Sequence, residues 1–187
     1  MIGAGTVKVL DSEATAGVLP IVALVDAVAD AARALQRGAI SAPQRTVLDV
    51  PGGRYLVMPA VDERLAVTKL ITVHLGNPAR DVPSIRGQLF VADAGTGEPL
   101  LVLDGPTVTA KRTSAVSMLG IRTLHPKPVR RVVIIGTGTQ AYAHAIAVHE
   151  VHGASVCIVA RTLEKGSALA ARPLRRSRHR GLVDRAC

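Results

Sequence analysis

Apolar positions along this chain repeat with two different periods, and the places where the period changes mark out its elements. Ile21, Leu24, Val25, Val28, Ala31, Ala32 and Leu35 recur at intervals of three or four residues, which predicts one amphipathic helix packed into the core. Pro20 suits its first turn and Gly38 its end. A short lead over residues 7–10 and a helix start at Asp11-Ser12-Glu13 precede it. Alternation takes over afterwards. Residues 46–50, 55–58, 65–75, 84–93 and 99–103 read as antiparallel strands, with turns at Pro51-Gly52-Gly53 and at residues 94–97. A helix over 107–124 ends at His125-Pro126-Lys127-Pro128, the expected domain boundary.

Residues 132–141 read V-V-I-I-G-T-G-T-Q-A and organise the C-terminal third of the chain. Four β-branched residues predict a strand buried on both faces of a parallel sheet. Gly136, Gly138 and Ala141 then stand in G-x-G-x-x-A spacing, with Thr139 and Gln140 between them, and open an alanine-rich helix over 140–152 that Gly153 stops. Gly136 permits a tight turn, Gly138 lets backbone approach a pyrophosphate, and Ala141 lets helix and strand pack closely. The N–H groups of the helix's first turn point at the anion. Strand, glycine turn and helix together predict a dinucleotide site of Rossmann type. The next strand, 155–160, ends at Arg161-Thr162, where many such folds carry an acid for the ribose 2′-hydroxyl. Arg161 would instead pair with a 2′-phosphate, so NADP(H) is expected over NAD(H).

Composition narrows the class. With 187 residues and 48% hydrophobic content the chain can bury a core. No apolar run approaches a membrane span and no secretory signal pattern is present at the start, so a cytoplasmic setting is expected. Cys157 and Cys187 argue against a disulfide framework, with Cys157 read as a small buried hydrophobe. The net charge of +9 suggests nucleic acid until it is located: six arginines and one aspartate lie from Ala171 onward, carrying +5 of the total. With 2% aromatic residues and no reading helix, no nucleic-acid partner is expected. His144, His149 and His152 do not fit H-E-x-x-H spacing; exposed helix residues are expected, and no metal.

Several further segments carry a family resemblance. They are Arg45, L-V-M-P at 56–59, T-K-L-I-T at 68–72, Asn77-Pro78, T-G-E-P at 96–99, L-D-G-P-T-V-T-A-K-R-T-S-A at 103–115, and I-G-T-G-T-Q-A. Over roughly residues 8–171 the chain resembles the ornithine cyclodeaminase/mu-crystallin family. The resemblance implies an α/β protein and a homodimer. It places a mixed-strand substrate-binding and dimerisation domain over 1–124 and the first part of an NAD(P)-binding Rossmann domain over 125–171. It further implies that Arg45 and Lys69 bind the substrate, with Lys69 as proton donor, and that Ser84, Arg112 and Thr113 touch the cofactor, Arg112 also facing the substrate carboxylate. Read without it, Lys69 is a cation in an apolar strand or an outward lysine at a strand edge, and Lys111-Arg112 a solvated pair.

One departure separates family members. Resembling ornithine cyclodeaminases carry a glutamate two residues before the methionine of the M-P pair, where this chain has Leu56. Leucine cannot hold the ammonium group of ornithine. The expected activity is therefore NADPH-dependent reduction of cyclic imino acids of the Δ1-pyrroline-2-carboxylate type. Ornithine cyclodeamination and non-catalytic binding of a nucleotide or small ligand are the alternatives. Only one strand is expected after the fingerprint strand, and residues 172–187 read as an arginine-rich disordered tail. The Rossmann domain thus reads as incomplete, and the chain by itself as inactive.

Overall fold

The computed structural model describes residues 7–172 and the backbone of residues 183–186. It divides into two compact units, one built from residues 1–19 and 30–109, the other from residues 20–29 and 110–187.

The first unit is a six-stranded sheet. In chain order its strands are β1 (Lys8–Val9), β2 (Thr46–Val50), β3 (Gly53–Val61), β4 (Leu65–Val73), β5 (Ile85–Asp93) and β6 (Pro99–Asp104), arranged β1-β6-β5-β4-β3-β2. β1 joins β6 in parallel and the other pairs are antiparallel. Helix α1 (Ser12–Val18) starts where expected, because the Asp11 carboxylate accepts the Ala14 N–H at 2.8 Å. Fully buried Thr15 ties it to the sheet: its hydroxyl donates to Leu10 O and accepts from Asp104 N.

Two aspartates shape the hairpins around β4 and β5. Asp62 Oδ1 accepts from Arg64 N and Leu65 N, at 2.8 and 2.7 Å. Asp93 Oδ1 accepts from Thr96 Oγ1, Thr96 N and Gly95 N. These are Asx-type turns, in which a short carboxylate stands in for a backbone acceptor.

The second unit places a parallel sheet against helices. Its strands are β7 (Arg131–Ile135), β8 (Ser155–Val159) and β9 (Val183–Ala186), in the order β7-β8-β9. Helix α4 (Thr139–His152) connects β7 to β8, and α5 (Leu163–Ala170) follows β8. The core joins Ala141, Ala145, Ala147 and Val148 of α4 to Val156 and Ile158 of β8. Ala115 and Met118 of helix α3 (Gly105–Leu124) and Ile21 and Val25 of helix α2 (Ile21–Gln36) complete it.

Five details differ from the sequence reading. β7, expected to be buried on both faces, turns only Val132 and Ile134 toward the core and leaves Val133 and Ile135 exposed, because the helices that pack on it among the described residues cover one face. The stripe on α2 is buried at Ile21, Val25 and Ala29, whereas Leu35 is 50% exposed and Ala31 and Ala32 are exposed. The first part of the helix has the second unit's core to pack into, and beyond Ala29 the same periodicity has no such partner. The compact units also do not divide at His125, because α3 sends Ala115 and Met118 into the core beneath the fingerprint helix. β9 supplies a strand within the arginine-rich tail, where none was expected. β8 would otherwise leave its outer backbone groups unpaired, and that demand recruits a segment with little apolar pattern of its own. The rest of the tail, residues 173–182 and 187, lies outside the described residues. Finally, Cys157 is buried as expected but is disulfide-bonded, so it is not a simple buried thiol; Cys187 lies outside the described residues.

The two turn aspartates lead to a pH dependence. Hydrogen bonds from the Leu65 and Arg64 N–H groups hold the Asp62 carboxyl below its ordinary range, and bonds from the Thr96 hydroxyl and N–H do the same for Asp93. A carboxyl depressed in the folded state stabilises above its unfolded pKa, and that contribution is lost as pH falls through the folded value. Melting curves taken below about pH 4, the ordinary aspartate range, should therefore show an acid limb that is shallower in the Asp62→Asn, Asp93→Asn double variant than in the parent. Superimposable limbs would mean that these turns contribute nothing to the acid response.

Candidate functional site

The fingerprint is held by backbone geometry. Gly136 sits at φ 117°, a region that L side chains rarely adopt, and its N–H donates to Val159 O at 2.9 Å. This bond fixes the turn after β7 beside the end of β8. Gly138 precedes α4 with φ −79° and ψ −176°, ordinary extended backbone, and a Cβ built there meets nothing within 4 Å. Neither conformation nor packing among the described residues requires glycine at that position. Gly138 at the N-cap has no side chain to accept a hydrogen bond, so the N–H groups of the first turn, at Thr139 and Gln140, are left without a side-chain cap. Ala141 is 8% exposed and lies in the core, where a larger residue would push α4 off the sheet. Gly153, at φ 62°, closes the helix by donating to His149 O.

Arg161 lies in the turn two residues beyond the carbonyl that Gly136 engages, and it is exposed. Thr162 caps α5, its hydroxyl accepting from Lys165 N at 3.5 Å. The structure therefore brings 136–141 and 161–162 to the same end of one parallel strand pair. Arg112, exposed, and Thr113, half-buried, stand on α3 in this same unit. A side-chain link joins α3 to the fingerprint helix, and sequence reasoning missed it. His144 Nε2 is 2.9 Å from Ser117 Oγ, and Ser117 lies one turn beyond Thr113.

The expectation that the α4 histidines are exposed fails. His144, His149 and His152 are all half-buried, and His152 Nε2 is buried with no hydrogen-bond partner. Because α3 and the sheet both pack against α4, little of that helix is left as a solvent face. The signal for His144 lay in spacing: it follows Gln140 by one helical turn, and Ser117 follows Thr113 by one. Among the described residues no three His, Cys, Asp or Glu side chains form a metal-binding group, and no helix is long and apolar enough to cross a membrane.

The remaining candidates lie in the first unit. Lys69 is half-buried in the interior strand β4, not on an edge. It pairs with Met58 and Leu89 and shares a face with buried Ile71, Val91 and Leu103. Arg45 immediately precedes β2 and is exposed. Thr46 pairs with Val57, and Val57 with Leu70, so Arg45 arrives level with the Met58–Lys69 pair. Two strand spacings put the two backbones roughly 10 Å apart, within joint reach of a small carboxylate. Leu56 lies on the Lys69 face, opposite Ile71. Ser84 is set apart from Lys69. It precedes β5, five residues before the position opposite Lys69, or roughly 17 Å along the strand. The loop leading to Ser84 is closed by Asn77 Nδ2 donating to Pro83 O and by His74 N donating to Ser84 O.

Residues 7–180 match the family model of the ornithine cyclodeaminase/mu-crystallin family. The chain belongs to this family. Among curated relatives it is 45% identical, over 138 residues, to Delta(1)-pyrroline-2-carboxylate reductase 1 of Burkholderia multivorans, a match spanning 73% of this chain and 44% of that protein. It is 44% identical, over 140 residues, to the Delta(1)-pyrroline-2-carboxylate/Delta(1)-piperideine-2-carboxylate reductase of Azospirillum brasilense, with 74% and 45% covered. The chain thus spans less than half the length of these relatives. Among solved structures it superimposes on Thermococcus litoralis Delta(1)-pyrroline-2-carboxylate reductase in complex with NADH and L-proline with a TM-score of 0.78. That match has 25% identity and covers 87% of this chain and 52% of the other. An archaeal alanine dehydrogenase dimer with bound NAD gives a TM-score of 0.79 at 24% identity, covering 88% and 52%, and supports the fold.

The two fingerprint glycines should respond oppositely to substitution. Gly136→Ala forces a side chain into the positive-φ region and should destabilise the second unit by about 1–3 kcal/mol. Gly138→Ser meets open space and adds a capping oxygen, so stability should hold or rise by roughly a few tenths of a kcal/mol. Urea titrations of both variants against the parent make the comparison. Equal losses would show that Gly138 is needed for folding after all.

Proposed function

We propose that this chain binds a nicotinamide dinucleotide, NADP(H) in preference to NAD(H), as part of a reductase of cyclic imino acids of the Δ1-pyrroline-2-carboxylate class. One observation carries the dinucleotide reading: Gly138 has ordinary backbone angles and open space where its side chain would stand, yet it is glycine. A bound group that approaches the backbone there accounts for this. The pyrophosphate would rest on 136–141, with Thr139 and Gln140 offering N–H groups, and Arg161 with Thr162 would receive the 2′-phosphate. Ser84, Arg112 and Thr113 are proposed to contact the same cofactor.

A cyclic imino acid needs its carboxylate held, its nitrogen protonated and a hydride delivered to the adjacent carbon. The nicotinamide would supply the hydride. Arg45 offers two parallel N–H donors to the carboxylate, Arg112 adds a second cation, and Lys69, flanked by Met58, Leu89 and Ile71, gives the proton to the nitrogen. Leu56 on the same face as Lys69 supports reduction over ornithine cyclodeamination, because the site then offers no carboxylate to a second ammonium group. The substrate and dimerisation roles of residues 1–124, and assembly as a homodimer, belong to this proposal; the dimeric alanine dehydrogenase among the structural neighbours supports the latter.

Titration of the chain with NADPH and NADH, followed by nicotinamide fluorescence, tests the cofactor assignment. NADPH should bind more tightly, Gly138→Ser should abolish binding of both, and Arg161→Asp should remove the preference. Equal or tighter NADH binding by the parent would reject the NADP(H) assignment. For the chemistry, Lys69→Ala in a form extended to the relatives' full length should lose reduction of Δ1-pyrroline-2-carboxylate while keeping cofactor affinity within about threefold. Turnover at the parental rate would remove Lys69 from the mechanism.

A further inference from the structure

His144 stands outside every role assigned above, yet both of its ring nitrogens are engaged. Nδ1 lies 2.7 Å from the carbonyl oxygen of Gln140, and Nε2 lies 2.9 Å from Ser117 Oγ. A carbonyl can only accept, so Nδ1 carries the hydrogen. In the neutral ring Nε2 is then an acceptor, and the Ser117 hydroxyl donates to it. The same hydroxyl lies 3.4 Å from Thr113 O, one turn back on α3. If the ring gains a proton, Nε2 donates instead and the Ser117 hydroxyl turns to Thr113 O. The connection survives in either protonation state.

The two ends of this chain of contacts are informative. Gln140 is a fingerprint residue in the first turn of α4, and Thr113 adjoins Arg112 on the helix proposed to contact the cofactor from another side. We infer that His144 is a positioning residue for the dinucleotide site. Through Ser117 it sets the first turn of the fingerprint helix against the Arg112-Thr113 segment of α3. The physical reason is directional. Apolar packing along α4 rests largely on alanines, which hold the helix against the sheet but permit small slides and rotations. A directional hydrogen bond resists both. The bond between Ser117 Oγ and Nε2 ties α4 to α3, and the Nδ1 bond to Gln140 O, within α4, holds the ring against the turn proposed to meet the phosphate. A half-buried polar bridge that served folding alone could be placed anywhere on this interface, whereas this one begins on the fingerprint itself.

The inference rests on the dinucleotide reading, and the test separates the two. NADPH affinity and melting temperature are measured for the full chain and for Ser117→Ala, His144→Ala, the double variant and His144→Gln. Ser117→Ala removes a single oxygen and keeps the comparison decisive should His144→Ala fail to fold. Each alanine variant should bind NADPH about tenfold more weakly, and the double variant no more weakly than the poorer single one, as for two partners in one bond. His144→Gln places an amide near the Nε2 position and should return affinity to within about threefold of the parent. Unchanged NADPH affinity in the folded alanine variants, with only the melting temperature lowered, would overturn the inference and leave the dinucleotide reading intact. Additive losses, or a glutamine variant as weak as the alanine one, would also overturn it. If the parent chain itself fails to bind NADPH, the dinucleotide reading falls and this inference with it.

Discussion

Close approach between α4 and the β7-β8 pair is the constraint on which the second unit depends. Ala141, Ala145 and Ala147 are all buried at this contact, and their small side chains let the helix axis lie near the sheet. That nearness directs the first turn of α4 over the end of β7, where Gly136 has already bent the chain back toward β8. A bulkier helix face would stand off, and the N–H groups of its first turn would no longer share a place with the Arg161 turn. Packing and the placement of these N–H groups are the same requirement at Ala141.

The first unit meets a different requirement. Its sheet must carry a lysine on its apolar core face. The cost of placing a cation among Ile71, Val91 and Leu103 is moderated because Lys69 is only half-buried. Register then decides which groups accompany it. Met58 and Leu89 flank it directly, Leu56 stands one pleat away, and Arg45 comes level with it from the end of the sheet. The result is a largely apolar surface with cations at defined points.

Much of this is legible in the sequence because local signals are strong. The strand alternation between Thr46 and Asp104, the Asp11 cap and the glycine spacing at 136–141 each depend on neighbours in the chain, so period and turn chemistry suffice. The features that escape such reading are set by distant partners. Nothing near Leu35 says that the core available to α2 ends at Ala29, and nothing in an arginine-rich tail announces that β8 needs another strand. His144 misleads because a histidine on a helix gives no sign of which helix will pack over it. Lys69 is ambiguous for the same reason: only the order β3-β4-β5 shows that its strand is interior.

The interleaving of the two units bears on how such a protein can be built or cut. The chain enters the second unit at Pro20, leaves it after Ala29, and returns at Ala110. The second unit is therefore not a cassette that begins at the proline-rich link. Excised at His125, it would lack Ile21, Val25, Ala115 and Met118 and present an open core where they had been. During synthesis the ordering is equally awkward, since residues 20–29 emerge early and must wait for β8, more than a hundred residues later, to complete the surface they bury against. An ancestor that joined two such modules end to end would have had to exchange a helix segment before they became inseparable.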